Sequence, residues 1–337
     1  MKKKLVIILI FLICTASNLS VNAQTQKRKL INPDKHVLGV YNPNKTEVTE
    51  DGVKKLIAQH PDIGFLYYAL GRIYLDKGEY DLSIQNIEKA IKLDPKIYEA
   101  YANLGCCYAI LEKYDLSEKN YKKAIELNPE DADLYQGLGT LYAVEKKYDL
   151  AEINLNKAVN LNPKDYIAYN ALSIIASDKN NNIEKAIDLA LKSISINPKY
   201  PTPYYNLGKY YKEIKDYNTS INYYKKAIEL SPNDLKIHMC LGGVYDDNNQ
   251  TELSIQEFNK CIAIAPDYSE CYYDLAHTYQ NAGIANLAIE NYEKAIKLDA
   301  RNYDAYTNLA QIYNDLGDRK ETKKWQAKLE QAKLNYK

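Results

Sequence analysis

Tyr121 to Pro129 reads YKKAIELNP, and close variants of that stretch recur along almost the whole chain. They are VKKLIAQHP (Val53 to Pro61), IEKAIKLDP (Ile87 to Pro95), LNKAVNLNP (Leu155 to Pro163), ALKSISINP (Ala190 to Pro198), YKKAIELSP (Tyr224 to Pro232), FNKCIAIAP (Phe258 to Pro266) and YEKAIKLDA (Tyr292 to Ala300). With YKKAIELNP in its place, successive starts lie 34, 34, 34, 35, 34, 34 and 34 residues apart. A fixed period of this length marks a solenoid, in which each unit buries its apolar face only by stacking on its neighbours. Because such a core grows with repeat number, the 337 residues are expected to form one elongated domain.

The residues preceding YKKAIELNP complete the unit, YEAYANLGCCYAILEKYDLSEKNYKKAIELNP from Tyr98. Tyr101, Leu104, Gly105 and Tyr108 stand at i, i+3, i+4 and i+7, one face of a helix. After a break near Glu112 to Tyr114, Ser117, Tyr121, Ala124, Ile125 and Leu127 mark a second helix. Pro129 stops it, since proline lacks an amide donor and disfavours helical geometry in the residue before it. The pattern therefore predicts two antiparallel helices per unit. Gly71, Gly105, Gly139, Gly208 and Gly242 fall in mid-helix, where glycine costs about 1 kcal/mol against alanine. Their period sets them opposite Ser83, Ser117, Ala151, Ser220 and Ser254, so two backbones can approach closely.

An aromatic-x-x-Leu-Gly-x-x-Tyr run, then a small residue, an aromatic, Ala and Pro in 34 residues resembles the tetratricopeptide repeat, over roughly residues 49 to 325. The resemblance implies an all-α fold, a right-handed α-solenoid (superhelix) of about seven to eight helix pairs. It also implies that the first helix of each pair lines a concave groove. A half repeat at 49–61 opens the array; units follow at 64–97, 98–131, 132–165, 166–200, 201–234, 235–268 and 269–302, and a last repeat with a capping helix at 303–337. Three departures stand out. The fourth unit has Ser173 for glycine and Ala176 for the later tyrosine, and holds the one inserted residue within SDKNNN (Ser177 to Asn182), where a local irregularity is expected. Ala276 and Ala300 replace Gly and Pro in the seventh unit, and Ala310 replaces Gly in the eighth. In the last helix Trp325, Leu329 and Ala332 share one side and lysines the other, as a solvated cap requires.

The N-terminus is a separate element. Lys2, Lys3 and Lys4 precede an apolar run from Leu5 to Ile13, and Val21 and Ala23 supply the small residues that signal peptidase reads. Residues 1–23 are thus expected to be a signal peptide cleaved between Ala23 and Gln24, which would send the protein to the periplasm or the exterior. No membrane span is expected after cleavage. Ile13 before Cys14 argues against a lipoprotein signal. Residues 24–48, polar and with Pro33, Gly39 and Pro43, read as a flexible arm.

Composition excludes several classes. Charged residues balance at 44 of each sign, and loss of the three signal lysines leaves 41 against 44, so no basic field points to nucleic acid. Aromatic usage is lopsided, with 33 Tyr, 3 Phe and 1 Trp, which suits thin layers where a ring packs while its hydroxyl reaches a polar partner. Cys106, Cys107, Cys240, Cys261 and Cys271 show no metal spacing; Cys261 and Cys271 stand where sister repeats have Ala124, Ala227, Ala100 and Ala305, which makes them small core filler, with an oxidised Cys261–Cys271 pair as the alternative. Of the histidines, His36 lies in the arm, His60 precedes the first proline, His238 takes an aromatic core slot and His277 the inner face. No HExxH, GxSxG or phosphate-cradling loop is present, so neither enzymatic activity nor a cofactor is expected. Asp178 to Asn182 and Asp246 to Gln250 begin like calcium loops but lack the later glycine and glutamate, and are expected to be solvated turns.

Function is then sought among first-helix residues left over from packing. In units two to four these are Ala102, Cys106, Ala109, Gln136, Thr140, Ala143, Asn170, Ile174 and Ser177, a small and rather apolar floor. Units five to seven change to Tyr205, Lys209, Lys212, Lys236, Met239, Tyr273, His277 and Gln280, a basic and aromatic patch. The expected partner is a protein or peptide whose apolar part meets the first set and whose acidic part meets Lys209, Lys212 and Lys236; the alternative is that these exposed positions vary at random and that Asp246, Asp247 and Glu270 offset the lysines. Rival classes are a glycan- or cell-wall-binding accessory protein and a regulatory subunit of an envelope enzyme. The protein itself is expected to be a monomer or to self-associate weakly. Binding of a chaperone tail, which some tetratricopeptide-repeat proteins grip through lysine, asparagine and arginine of three consecutive units, is disfavoured, since Arg72 with Asn103 and Asn206 with Lys209 match only fragments of that set.

Overall fold

A computed structural model describes residues 49–335 of the chain, and among them all regular structure is α-helical. The seventeen helices are α1 (Glu50–Gln59), α2 (Gly64–Asp76), α3 (Tyr80–Leu93), α4 (Tyr98–Ile110), α5 (Tyr114–Leu127), α6 (Ala132–Val144), α7 (Tyr148–Leu161), α8 (Tyr166–Asn180), α9 (Ile183–Ile196), α10 (Pro201–Glu213), α11 (Tyr217–Leu230), α12 (Leu235–Asp247), α13 (Thr251–Ile264), α14 (Ser269–Asn281), α15 (Ala285–Leu298), α16 (Tyr303–Asp315) and α17 (Arg319–Asn335). Residues 1–48, which carry the expected signal peptide, Cys14, His36 and the arm, lie outside the described residues.

The pairs form for the reasons the small residues suggest, with one refinement. Ser83, Ser117 and Ser220 are fully buried on the second helix and donate Oγ–H to the carbonyls of Gly71, Gly105 and Gly208 on the first, at 2.7, 2.6 and 2.7 Å. The bulk that fills each glycine's place comes from four residues further on. A Cβ on Gly105 would stand 2.9 Å from the Tyr121 ring, and one on Gly208 2.7 Å from the Tyr224 ring. Tyr121 also reaches the next unit, where a Cβ on Gly137 would approach its ring to 2.7 Å. Ala90, Ala124, Ala158 and Ala227, all fully buried, let the following unit close in.

A connector shared by all the pairs went unread in the sequence. Between the two helices one residue takes the left-handed conformation: Gly78, Glu112, Lys146, Asn181, Lys215, Asn249, Gly283 and Gly317, with φ between 47° and 77°. Only three of the eight are glycine, so composition hides a backbone rule. The calcium-like stretches begin in the last turn of a helix, Asp178 in α8 and Asp246 and Asp247 in α12, and pass into the connectors at Asn181 and Asn249. No group of three or more potential metal ligands occurs among the described residues.

The described chain parts into two compact units, one ending at Asn182 and one beginning at Ile183. The boundary falls at the end of SDKNNN. The inserted residue does not loop out: α8 runs 15 residues where α4, α6, α10 and α12 each run 13, and Asn181 closes it with a left-handed cap at φ 47°. Within each unit, first helices of successive repeats touch one another, as α2 does α4, α4 does α6, and α10 does α12. That closeness puts the first helices on the inner side of the stack and leaves the second helices outside.

Candidate functional site

A site in such a fold is what remains once packing has taken its share, and the tyrosines show how large that share is. Tyr204 and Tyr272 donate their hydroxyls to the carbonyls of Pro198 and Pro266 of the preceding repeat, both at 3.1 Å. His238 fills the same slot in the repeat between them, its Nε2 2.9 Å from the Pro232 carbonyl and its Nδ1 2.7 Å from the Glu257 carboxylate. At 3% exposure it is a packed core residue. Second-helix lysines lie over this row of rings, Lys89 on Tyr67, Lys157 on Tyr135 and Lys294 on Tyr272, at 5.1 to 5.8 Å. Tyrosine is favoured over phenylalanine here because its hydroxyl ties one repeat to the last. Cys261 and Cys271 are unbridged and fully buried; hydrogen bonding with Cys271 and burial push the Cys261 thiol up, as suits inert filler.

In the first unit the leftover positions on α4, α6 and α8 are short and uncharged. Ala102 and Ile174 are half-buried, whereas Cys106, Ala109, Gln136, Thr140 and Asn170 are buried. Gln136 donates to Thr140 Oγ1 at 3.3 Å and Thr140 returns a bond to the Gln136 carbonyl at 2.8 Å. These two side chains satisfy each other along α6. Ala102 and Ile174 are thus the more accessible of this set.

The second unit differs in kind. Met239, Tyr205, Tyr273 and Gln280 are half-buried and Lys209 and His277 exposed on its inner helices. Lys236, in the first turn of α12, lies with its ammonium 4.5 Å from the centre of the Tyr205 ring, whose hydroxyl accepts from Cys240 Sγ at 3.7 Å. Burial holds the Lys236 ammonium below the usual lysine range. Lys212 crosses α12 above Gly243 to pair with Asp247 at 2.9 Å. On the far side of α12, Asp246 Oδ2 accepts from Asn281 at 2.9 Å and faces His277 Nδ1 at 3.4 Å, which raises the His277 pKa. Tyr273 is held by Asn308, which donates to it at 3.3 Å and to Tyr292 at 3.1 Å; Tyr292 in turn donates to Gln280 at 2.7 Å.

The face carries both signs of charge, as the alternative reading of this stretch expects. Asp247 neutralises Lys212, and Asp246, Glu270 and Asp274 stand on the same helices as the cations. Asp274, absent from the sequence-derived set, is the most perturbed acid of the face. Burial pushes its carboxyl up to about 6, with Glu270 and Asp246 adding to the shift and His277 and Lys212 opposing it. Keeping it ionised at neutral pH costs the fold on the order of 2–3 kcal/mol. No hydrogen bond or ion pair to it occurs among the described residues. A signal for it existed: Asp274 holds the position that Asn206 and Asn308 hold in sister repeats, immediately before the conserved-register leucines Leu207, Leu275 and Leu309. The cross-repeat contacts of this face obey one spacing, since Cys240 and Tyr205, Asn281 and Asp246, and Asn308 and Tyr273 are each 35 residues apart.

Family models described as tetratricopeptide repeat match residues 66–97, 98–131, 120–153, 201–234, 235–268, 269–302 and 291–324. No curated protein matches the chain. Among solved structures, a chain of the APC/C hetero-tetramer Cut9–Hcn1 is similar with a TM-score of 0.62 at 17% identity, over 78% of this chain and 52% of that one. This chain thus spans about half the length of that relative. The Pseudomonas aeruginosa protein pilF is similar with a TM-score of 0.56 at 16% identity, over 64% of this chain and 97% of that one. At such identities the likeness is one of fold. Among the described residues no helix is long and apolar enough to cross a membrane.

Proposed function

This chain belongs to the tetratricopeptide-repeat family, whose fold serves as a protein–protein interaction scaffold, and on that premise we propose that it binds an extended segment of a partner protein along the inner helices α10, α12, α14 and α16 without catalysing a reaction. The observation that carries this reading is the contrast between spent and unspent side chains. Outer-helix lysines and core tyrosines are committed to packing, while the inner face of the second unit keeps Lys236 and Asp274 half-buried with no ion-pair partner among the described residues. A photo-crosslinking residue at Met239, on the inner face, tests it against one at Leu230, exposed on the outer helix α11. Capture of one partner from Met239 alone is the expected result. Equal capture from both positions overturns the groove reading, and retention on polysaccharide in place of protein favours a glycan-binding accessory role.

The proposal includes export, with action in the periplasm or outside the cell. What supports it is Lys2 to Lys4 ahead of the apolar Leu5 to Ile13 and the Val21/Ala23 cleavage pattern. N-terminal sequencing of the protein from fractionated cells should begin at Gln24. Recovery with Met1 intact in the cytosol overturns export.

A further inference from the structure

On the inner face of the second unit two half-buried charges of opposite sign have no ion-pair partner among the described residues, and they sit on neighbouring repeats. Lys236 is anchored at the start of α12 by the Tyr205 ring, 4.5 Å away, and its charged neighbours are Lys209 on α10 and Asp234 just before α12. Asp274 lies in the middle of α14, facing Lys212 from α10, Asp246 from α12, and Glu270 and His277 from its own helix. Between them Lys212 is joined to Asp247, and Asp246 to Asn281 and His277. A ligand therefore meets a cation on α12 and an anion on α14 that have no ion-pair partner among the described residues, at fixed places along the face.

We propose that the inner face of the second unit selects a bipolar peptide segment, with a carboxylate side chain seated on Lys236 beside Tyr205 and an ammonium or guanidinium side chain seated on Asp274. This rests on the groove reading given above and adds the chemistry of its occupant. Both seats are pre-desolvated, so an incoming opposite charge relieves a cost already present in the free protein. The rings next to them, Tyr205 and Tyr273, give the aliphatic stems of the ligand a surface to lie on. A segment of one sign satisfies one seat and is repelled at the other. Order along the segment thus matters as well as composition.

The test uses the full mature chain and labelled peptides of equal length carrying a photoreactive group: a glutamate block followed by a lysine block, the reverse order, the same residues alternating, all glutamate and all lysine. Fluorescence anisotropy should show one of the two block peptides binding at least tenfold more tightly than the alternating and single-sign ones. Asp274→Asn and Lys236→Gln should each remove most of that preference, and the exchange Lys236→Glu with Asp274→Lys should transfer it to the other block order. Circular dichroism of each variant shows that loss is not unfolding. Equal binding of block and alternating peptides with crosslinks on α12 and α14 overturns the bipolar proposal and leaves the groove reading standing. Crosslinks on α11 and α13 overturn both. Failure of every peptide to bind overturns the bipolar proposal, and the Met239 capture then decides the groove reading alone.

Discussion

Gln136 and Asn170 in the first unit occupy the positions that Tyr205 and Tyr273 occupy in the second, and Thr140 the position of Lys209 and His277. Between these corresponding rows the packing devices are the same: a buried serine bonds a glycine carbonyl in both units, and an aromatic ring fills the space a Cβ would need. What differs is the remainder, short and uncharged in one unit, aromatic and charged in the other. The contrast teaches that in a repeat array stability and recognition are carried by different positions of the same helix. A repeat can change its inner face without touching its core.

The largest effects should fall where the two units are alike. Gly105→Ala and Gly208→Ala drive a Cβ into the Tyr121 and Tyr224 rings and should each destabilise by about 1–3 kcal/mol in urea unfolding. A tolerated substitution in either unit would break the equivalence of their packing. Next comes the sharpest difference between the units. Asp274→Asn should stabilise the protein by about 1–2 kcal/mol at pH 7, because Asn cannot ionise in that half-buried place. The sign follows from a folded-state carboxyl raised from 3.8 to about 6: the native state holds the extra proton between those values. Stability contributed by this group is therefore present below pH 3.8, falls as pH rises to about 6 and is level above, and Asp274→Asn should abolish that slope in thermal melts taken across the range.

Smaller changes sharpen the comparison further. Ser117→Ala and Ser220→Ala remove one buried hydrogen bond each and should cost about 1 kcal/mol in either unit, read as equal shifts of the urea midpoint. Glu112→Gly and Lys215→Gly relieve left-handed backbone at φ 58° and 63° and should each gain roughly 0.5–1 kcal/mol. A gain in one unit only would show that the connectors are not interchangeable.

The fold class was legible because YKKAIELNP and its variants repeat a helix-period pattern with proline stops, and one copy predicts the next. The groove was legible in outline only. Residues such as Tyr205 and Lys236 could be singled out as left over from packing, yet their surroundings could not. The register of Asp274 with Asn206 and Asn308 is legible in the sequence, whereas the burial that raises its carboxyl is not. The left-handed connectors were missed because Glu112, Lys146 and Lys215 carry no sign of the φ they adopt.

By itself the sequence determined period, helix pairing and register, all of which depend on contacts within a repeat or with the next one and so leave a trace at fixed spacing. Tertiary structure alone decided which inner charges cancel. Lys212 meets Asp247, and Asp246 meets Asn281, across helices one repeat and one residue apart. It decided as well which charges stay unmatched, because desolvation depends on every neighbour around a side chain and not on its place in the period. Stacking one helix beside the next chose between a basic patch and an offset one, by joining Lys212 to Asp247.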